Sequence, residues 1–251
     1  MSAGRTRLAE AQVALILLTR LPAGRLPDPP PAIAASVWAF PLAGLAAGGL
    51  AAAALVGAAM AGMPVALAAG LALGLQIVLT GALHEDGLAD LADGFWGGAT
   101  PERRLEIMRD SRIGSYGVLA LILSVGLRWV ALAYLAEIDP VLAGIALLCA
   151  AMTSRALPAV MLAALPPARS DGLGRAAGRA RFGPALVAVL LAAFPALLLP
   201  AVLWAMALQA ALGVALARLA LRRIGGQTGD VLGAAQQVAE IAALVLLASC
   251  L

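Results

Sequence analysis

Lysine is missing from this chain altogether: all 17 basic residues are arginines, set against 14 acidic residues and one histidine, for a formal charge of +3 over 251 residues. So small an excess gives no reason to expect a nucleic-acid partner, and it moves the question to where the arginines lie. Charge of either sign is scarce, at 12%, and aromatic residues make up only 4%. With 63% hydrophobic residues and a mean hydropathy of +0.97, the composition excludes a soluble globule. It predicts an all-α fold, a polytopic transmembrane helix bundle. The only two cysteines, Cys149 and Cys250, sit in apolar stretches without metal-ligand spacing; they exclude a disulfide framework and read as small packing residues. Linkers and low-complexity segments are also lacking, so residues 1–251 read as a single integral membrane domain. The apolar run Val13–Leu18 is too short for a cleavable signal and leads into "TRLPAGRLPDPPP"; the first segment reads as an amphipathic helix at the membrane interface.

A membrane span takes roughly 20 apolar residues. About seven segments qualify: 33–60, 64–83, 115–136, 140–165, 184–199, 200–221 and 231–251. They are parted by "GMP" at 62–64, by "EIDP" at 137–140 and by Pro200, where a proline starts a new helix. The pair over 184–221 is the least regular, its first member being short and holding Pro195. Glycine and alanine crowd the spans, as in "GLAAGGLAAAALVGAAMAG", which lets membrane helices approach closely. Fourteen of the 17 arginines fall into four connecting segments: residues 1–32 (Arg5, Arg7, Arg20, Arg25), 84–114 (Arg103, Arg104, Arg109, Arg112), 166–183 (Arg169, Arg175, Arg179, Arg181) and 222–230 (Arg222, Arg223). The three tight breaks hold none. Two spans separate each basic segment from the next, so all four are expected on one face. By the positive-inside rule that face, with the N-terminus, is cytoplasmic.

Seven of the 14 acidic residues lie between Glu85 and Asp110. In "LHEDGLADLADGFWGG" (83–98), Asp86, Asp90 and Asp93 are spaced i, i+4, i+7 and share one helix face. Three carboxylates on one face repel one another unless a cation lies between them. Mg2+ suits such a site, because it takes oxygen ligands and often shares its shell with substrate phosphates. Glu85 points off that face and reads as a solvated neighbour. His84 has two readings, a polar residue at the membrane interface or a general base beside the metal. In "RRLEIMRDSRIGSYG" (103–117), Arg109 and Arg112 flank Asp110 and Ser111 ahead of Gly114, a flexible arrangement suited to bidentate phosphate contacts. Arg103 and Arg104 fit ordinary anchoring equally well. In "RRIGGQTGDVLGAAQQVAE" (222–240), Thr228 and Asp230 open the last span as an N-cap, and helix N-termini favour anions. Glu240 falls inside that span, where an unpaired acid is expensive and therefore a functional candidate. The plainer alternative is a paired buried acid, with Arg128 and Arg155 as partners inside spans of their own. Metal ligands beside phosphate-seeking arginines point to chemistry on a phosphate ester or diphosphate.

"LHEDGLADLADG", "RRLEIMRDSRIGSYG" and "GGQTGDVLGAAQQ", in that order, with "LTRLP" and "FPLAG" upstream, resemble the cobalamin synthase family, the adenosylcobinamide-GDP ribazoletransferases. The resemblance runs from residue 18 to about residue 240. Leu91 departs from it, standing where a small polar residue is expected, but off the aspartate face. The resemblance implies an integral inner-membrane enzyme of the last joining step of vitamin B12 synthesis. It would transfer the cobinamide phosphate from adenosylcobinamide-GDP to α-ribazole or its 5′-phosphate, with Mg2+, releasing GMP. On this reading Asp86, Asp90 and Asp93 hold Mg2+, and Glu240 completes the metal site. Arg109 and Arg112, with Ser111, Gly114 and Thr228, contact the substrate. Asp230 joins the metal or orients the attacking hydroxyl, and His84 is a candidate base. Partners are these substrates and membrane lipid, and an oligomer is not excluded. A membrane CDP-alcohol phosphotransferase is the alternative, but its signature wants a different aspartate spacing. Prenyltransferases want a second aspartate-rich motif, and a cation-coupled transporter wants charges near the midplane in broken helices.

Overall fold

The computed structural model describes residues 3–251, and of residues 3, 5 and 173 the backbone only; Arg5, one of the N-terminal arginines, thus lies outside the described side chains. In chain order the helices are α1 (Ala3–Leu18), α2 (Ile33–Ser36), α3 (Phe40–Met60), α4 (Val65–Thr80), α5 (Leu83–Gly97), α6 (Pro101–Ile107) and α7 (Ser115–Ile138). Beyond these come α8 (Pro140–Ser154), α9 (Ala156–Ala164), α10 (Gly172–Ala176), α11 (Phe182–Ala193), α12 (Val202–Ile224) and α13 (Gly229–Cys250). Among the described residues no β-strand forms, and the all-α expectation holds.

Each of the seven expected segments is helical, but not all of them are long and apolar enough to cross by themselves. Five stretches are long and apolar enough: Ile33–Met60, Ser115–Ile138, Pro140–Ala164, Val202–Ile224 and Gly229–Cys250. The irregular segment near 184–199 is a shorter apolar helix, Phe182–Leu197. The segment expected over 64–83 ends at Thr80, and the chain then turns by 86° into α5. At 1.5 Å per residue α4 reaches only about 24 Å, short of a hydrocarbon core of roughly 30 Å. Counting the bent pair α4–α5 as one broken span raises the number to six.

Two successive left-handed residues make that bend, Gly81 (φ 63°) and Ala82 (φ 55°). Glycine adopts this conformation freely, and at position 81 a side chain would collide with the Arg20 guanidinium lying over it. Alanine does not, and a strained residue of this kind costs about 1–3 kcal/mol. Packing of the next helix offsets that strain. Residues 84–97, expected to put three aspartates on one helix face within a connecting segment, do form a helix, but one wedged between α7 and α13, with Gly87 close against the backbone of Asp230 and Gly233.

Small residues also set the packing elsewhere: Gly44 and Gly48 of α3 leave no room for a Cβ against Ala151 of α8. Leu55, Leu73, Leu132, Leu147 and Leu244 fill the core on the side away from the arginines. The four arginine-bearing segments meet at one end of the bundle, as their spacing predicts. The Arg20 amide donates to Leu79 O (2.7 Å), the Ala34 amide to Ala177 O (3.0 Å), and Arg104 Nη1 to Arg223 O (3.1 Å). The amides of Ala168 and Gln227 donate to Gln227 O and Pro166 O (both 2.8 Å), a short parallel bridge that ties the 166–183 segment to the start of α13. Cys149 is buried, in keeping with packing; Cys250 is exposed.

Candidate functional site

The three aspartates of α5 share a face, but they lie in different surroundings. Asp93 is buried, and its two oxygens accept the amides of Gly114 (2.7 Å) and Gly117 (2.9 Å). It thereby satisfies orphan donors at the start of α7, and both glycines are needed because a Cβ at either would strike its carboxylate. Asp86 is exposed and Asp90 half-buried. Among the described residues neither accepts a hydrogen bond nor forms an ion pair, while Asp86, Asp230 and Asp93 all act on Asp90 through their charge.

Asp230 approaches from α13. Thr228 caps that helix as expected, its Oγ1 accepting the Val231 amide and donating to Asp230 Oδ2 (both 3.2 Å). Arg169 Nη2 lies 3.5 Å from the same Asp230 oxygen and donates to Leu105 O (3.1 Å). Its Nε is buried without a partner among the described residues. Burial draws the Arg169 guanidinium below its ordinary pKa and the Asp230 carboxylate partly restores it. Asp86, Asp230 and Arg169 open onto a cavity of about 220 Å³ whose other walls are apolar. His84, two residues before Asp86, opens onto it too, its backbone lying against Gly233 of α13. His84 is only 3% exposed and makes no hydrogen bond among the described residues.

Beneath this face lies a second polar group, and it takes Glu85 and Glu240 away from the first. Glu85 is no solvated neighbour: it is 7% exposed, because α5 is wedged into the bundle. Its Oε1 accepts from Arg128 Nη2 (3.0 Å) and Gln237 Nε2 (3.1 Å). Arg128 Nη1 donates to Glu240 Oε1 (3.0 Å), and Arg155 Nη1 lies 3.7 Å from Glu240 Oε2. Gln76 and Gln236 also donate to Glu240 Oε2, at 3.2 and 2.6 Å. Glu240 is therefore the paired buried acid, held away from the aspartate face, and its oxygens are engaged by arginine and glutamine. Two carboxylates and two guanidiniums balance here, as buried membrane charges require.

Arg109 pairs with Asp171 of the 166–183 segment and lies close enough to Arg169 to act on its charge. Arg112 turns back on Asp110, donating to both its oxygens (2.6–3.1 Å), and Ser111 beside them is exposed. The Arg112 guanidinium holds the Asp110 carboxyl down at about 2. Gly114 is engaged through its backbone, its amide donating to Asp93 and its carbonyl accepting the Val118 amide. The structure thus gathers Asp86, Asp90, Asp230, Thr228 and His84, with Arg109 at the rim, while Asp93, Glu240 and Arg112 engage other partners and Ser111 is exposed beside Asp110. In the sequence Arg169 is one more arginine of a basic loop and draws no attention as a site residue. Its one signal is its position, just before the glycines of α10 and within reach of a capping aspartate.

Among the described residues no three of His, Cys, Asp and Glu are grouped tightly enough to enclose a metal ion. The donor set nonetheless fits Mg2+, which is ordinarily held by one or two carboxylates together with substrate phosphates and water. Asp86 and Asp90 are the two carboxylates with unengaged oxygens. Asp93 and Glu240 fit that role less well, since their oxygens already accept hydrogen bonds.

A family model described as cobalamin-5-phosphate synthase matches residues 10–248. Curated relatives carry the name adenosylcobinamide-GDP ribazoletransferase. The one from Azorhizobium caulinodans is 49% identical over 95% of this chain and 94% of its own. That from Bradyrhizobium diazoefficiens is 46% identical over 98% and 95%, and that from Mesorhizobium japonicum 44% over 96% and 93%. No solved structure matches.

Proposed function

This chain belongs to the cobalamin-5-phosphate synthase family, and we propose that it transfers the cobinamide phosphate of adenosylcobinamide-GDP to α-ribazole or its 5′-phosphate, releasing GMP. The observation that carries the proposal is the pair of unengaged carboxylates, Asp86 and Asp90, beside Arg169 and Asp230 at the mouth of a cavity, in a chain matched by the family over residues 10–248.

A hydroxyl of the ribazole ribose attacks the cobinamide-linked phosphorus. A new P–O bond forms as the bond to the bridging oxygen breaks, and GMP leaves with that oxygen. Such in-line displacements depend on positioning and charge neutralisation more than on covalent work by the protein. Asp86 and Asp90 would hold Mg2+, which when bound neutralises the diphosphate. Arg169 contacts the phosphoryl oxygens, its planar fork suited to them, with Arg109 lending further positive charge at the rim. Asp230 orients the attacking hydroxyl and receives its proton, while Thr228 and Arg169 hold Asp230 in place. His84 lies deeper, toward the body of the acceptor. The enzyme sits in the inner membrane with this face and the N-terminus cytoplasmic, in keeping with the arginines gathered there.

The test is turnover of both substrates by the purified protein in lipid, with and without Mg2+, followed as GMP release. Magnesium-dependent GMP together with a cobalamin product is the expected result. Folded protein that releases no GMP would sink the assignment.

A further inference from the structure

The cavity beside the aspartates is too small for the corrinoid of the donor substrate, and its walls are mostly apolar. Its walls include Leu17 and Leu18 of α1, Ile33 of α2, Phe40 of α3, Leu162 of α9 and Leu232 of α13. The three charged side chains on its lining, Asp86, Arg169 and Asp230, are grouped together. Apart from them, His84 is the one polar side chain on the wall, buried and without a hydrogen-bond partner among the described residues. An apolar cavity of about 150 Å³ takes a benzene ring; at about 220 Å³ this one takes a fused bicyclic ring. Whole drug-sized ligands need about 300 Å³ or more, and a corrin with its substituents is far larger.

Resting on the reading above, we infer that this cavity seats the methylated benzimidazole base of the acceptor, leaving the corrinoid and the guanosine outside. The base of ribazole is a flat bicycle with two ring nitrogens. One carries the ribose, and the other keeps an in-plane lone pair. His84, donating from one ring nitrogen, satisfies that lone pair, and the base supplies the partner that His84 lacks. With the base inside, the ribose extends toward the charged mouth, where Asp230 and Arg169 meet its hydroxyl and the diphosphate. Guanine is a poor occupant: its carbonyl, amino and ring N–H groups need several polar partners, and burying them unpaired is expensive. The same mismatch makes the pocket selective among acceptors, against adenine and in favour of methylated benzimidazole.

The experiment uses free 5,6-dimethylbenzimidazole as a probe on the full protein in lipid, by equilibrium binding and as an inhibitor of GMP release. The expected result is binding without either substrate, and inhibition competitive with ribazole but not with adenosylcobinamide-GDP. Ile33→Trp and Leu17→Trp, at half-buried wall positions, fill the space. Each is expected to abolish probe binding and to raise the KM for ribazole by roughly tenfold or more, leaving the KM for the donor unchanged. Thermal melting of both variants checks that they fold. Normal GMP release without probe binding, or variants that raise the donor's KM instead, overturns the inference and leaves the proposed reaction standing. Probe binding lost in the tryptophan variants, in a protein that releases no GMP, removes the reaction and keeps the site.

Discussion

Glu85 and Asp86 adjoin in the chain, yet one is sealed inside the bundle against Arg128 and Gln237, while the other stands on a cavity wall with no partner of its own. The same division runs through the whole polar complement. The deep group of Glu85, Arg128, Glu240 and Arg155 is neutral in sum and densely hydrogen-bonded. The shallow group of Asp86, Asp90 and Asp230 carries three carboxylates against Arg169 and its neighbour Arg109. Charge that has found its partners inside the protein holds helices together. Charge left without them is available to a substrate and its counter-ion.

The sharpest way to test that division is to neutralise the unpartnered acids. Asp86→Asn and Asp90→Asn should each lower turnover on the order of a thousandfold with no loss of melting temperature. A variant that melts early instead would place Asp86 or Asp90 among the structural charges. Arg128→Met is the converse. Removing Arg128 leaves Glu85 with no arginine partner and Glu240 with Arg155 alone, and breaking a buried pair destabilises by about 3–5 kcal/mol, read as early unfolding in detergent. Full stability in that variant breaks the comparison from the other side. Asp93 stands between the two groups, and Gly114→Ala examines it. The added methyl meets its carboxylate, and overpacking of this kind costs about 1–3 kcal/mol, so a moderate fall in stability is expected alongside weakened docking of α5 on α7.

The smallest effect belongs to the exposed pair of Arg112 and Asp110. Its depressed carboxyl, at about 2, makes the pair's contribution complete above the ordinary aspartate range near pH 4 and lost only as pH falls toward about 2. Arg112→Ala should return the Asp110 titration to the ordinary range, visible by carboxyl NMR, with stability at neutral pH unaltered. A large drop in donor affinity in that variant would give Arg112 back the phosphate contact that the sequence suggests.

The features legible in the sequence have a local period or a local composition. Helical spacing puts Asp86, Asp90 and Asp93 on one face, arginine counting puts four segments at one end, and Thr228 ahead of Val231 is readable as a cap. The features that escape it are nonlocal. Glu85 meets Arg128 across 43 residues, and Arg128 meets Glu240 across 112; no periodicity records such a pairing. The break at Gly81–Ala82 is hidden because alanine rarely takes a left-handed conformation. That break is what carries the aspartate helix from the expected surface segment into the bundle. Arg169 is hidden because a loop arginine looks the same whether it faces water or an aspartate.

The bridge between Pro167 and Gln227 has a consequence for the integrity of the chain. Two backbone hydrogen bonds fasten residues 166–168 directly to the turn before α13, so Arg169 is held from its own side rather than by the stretch beyond it. The covalent link through Gly178 and Arg179 is then not what keeps Arg169 beside Asp230. A protein divided there into two polypeptides would be expected to reassemble with its site intact, and turnover by co-expressed halves is the direct sign of it.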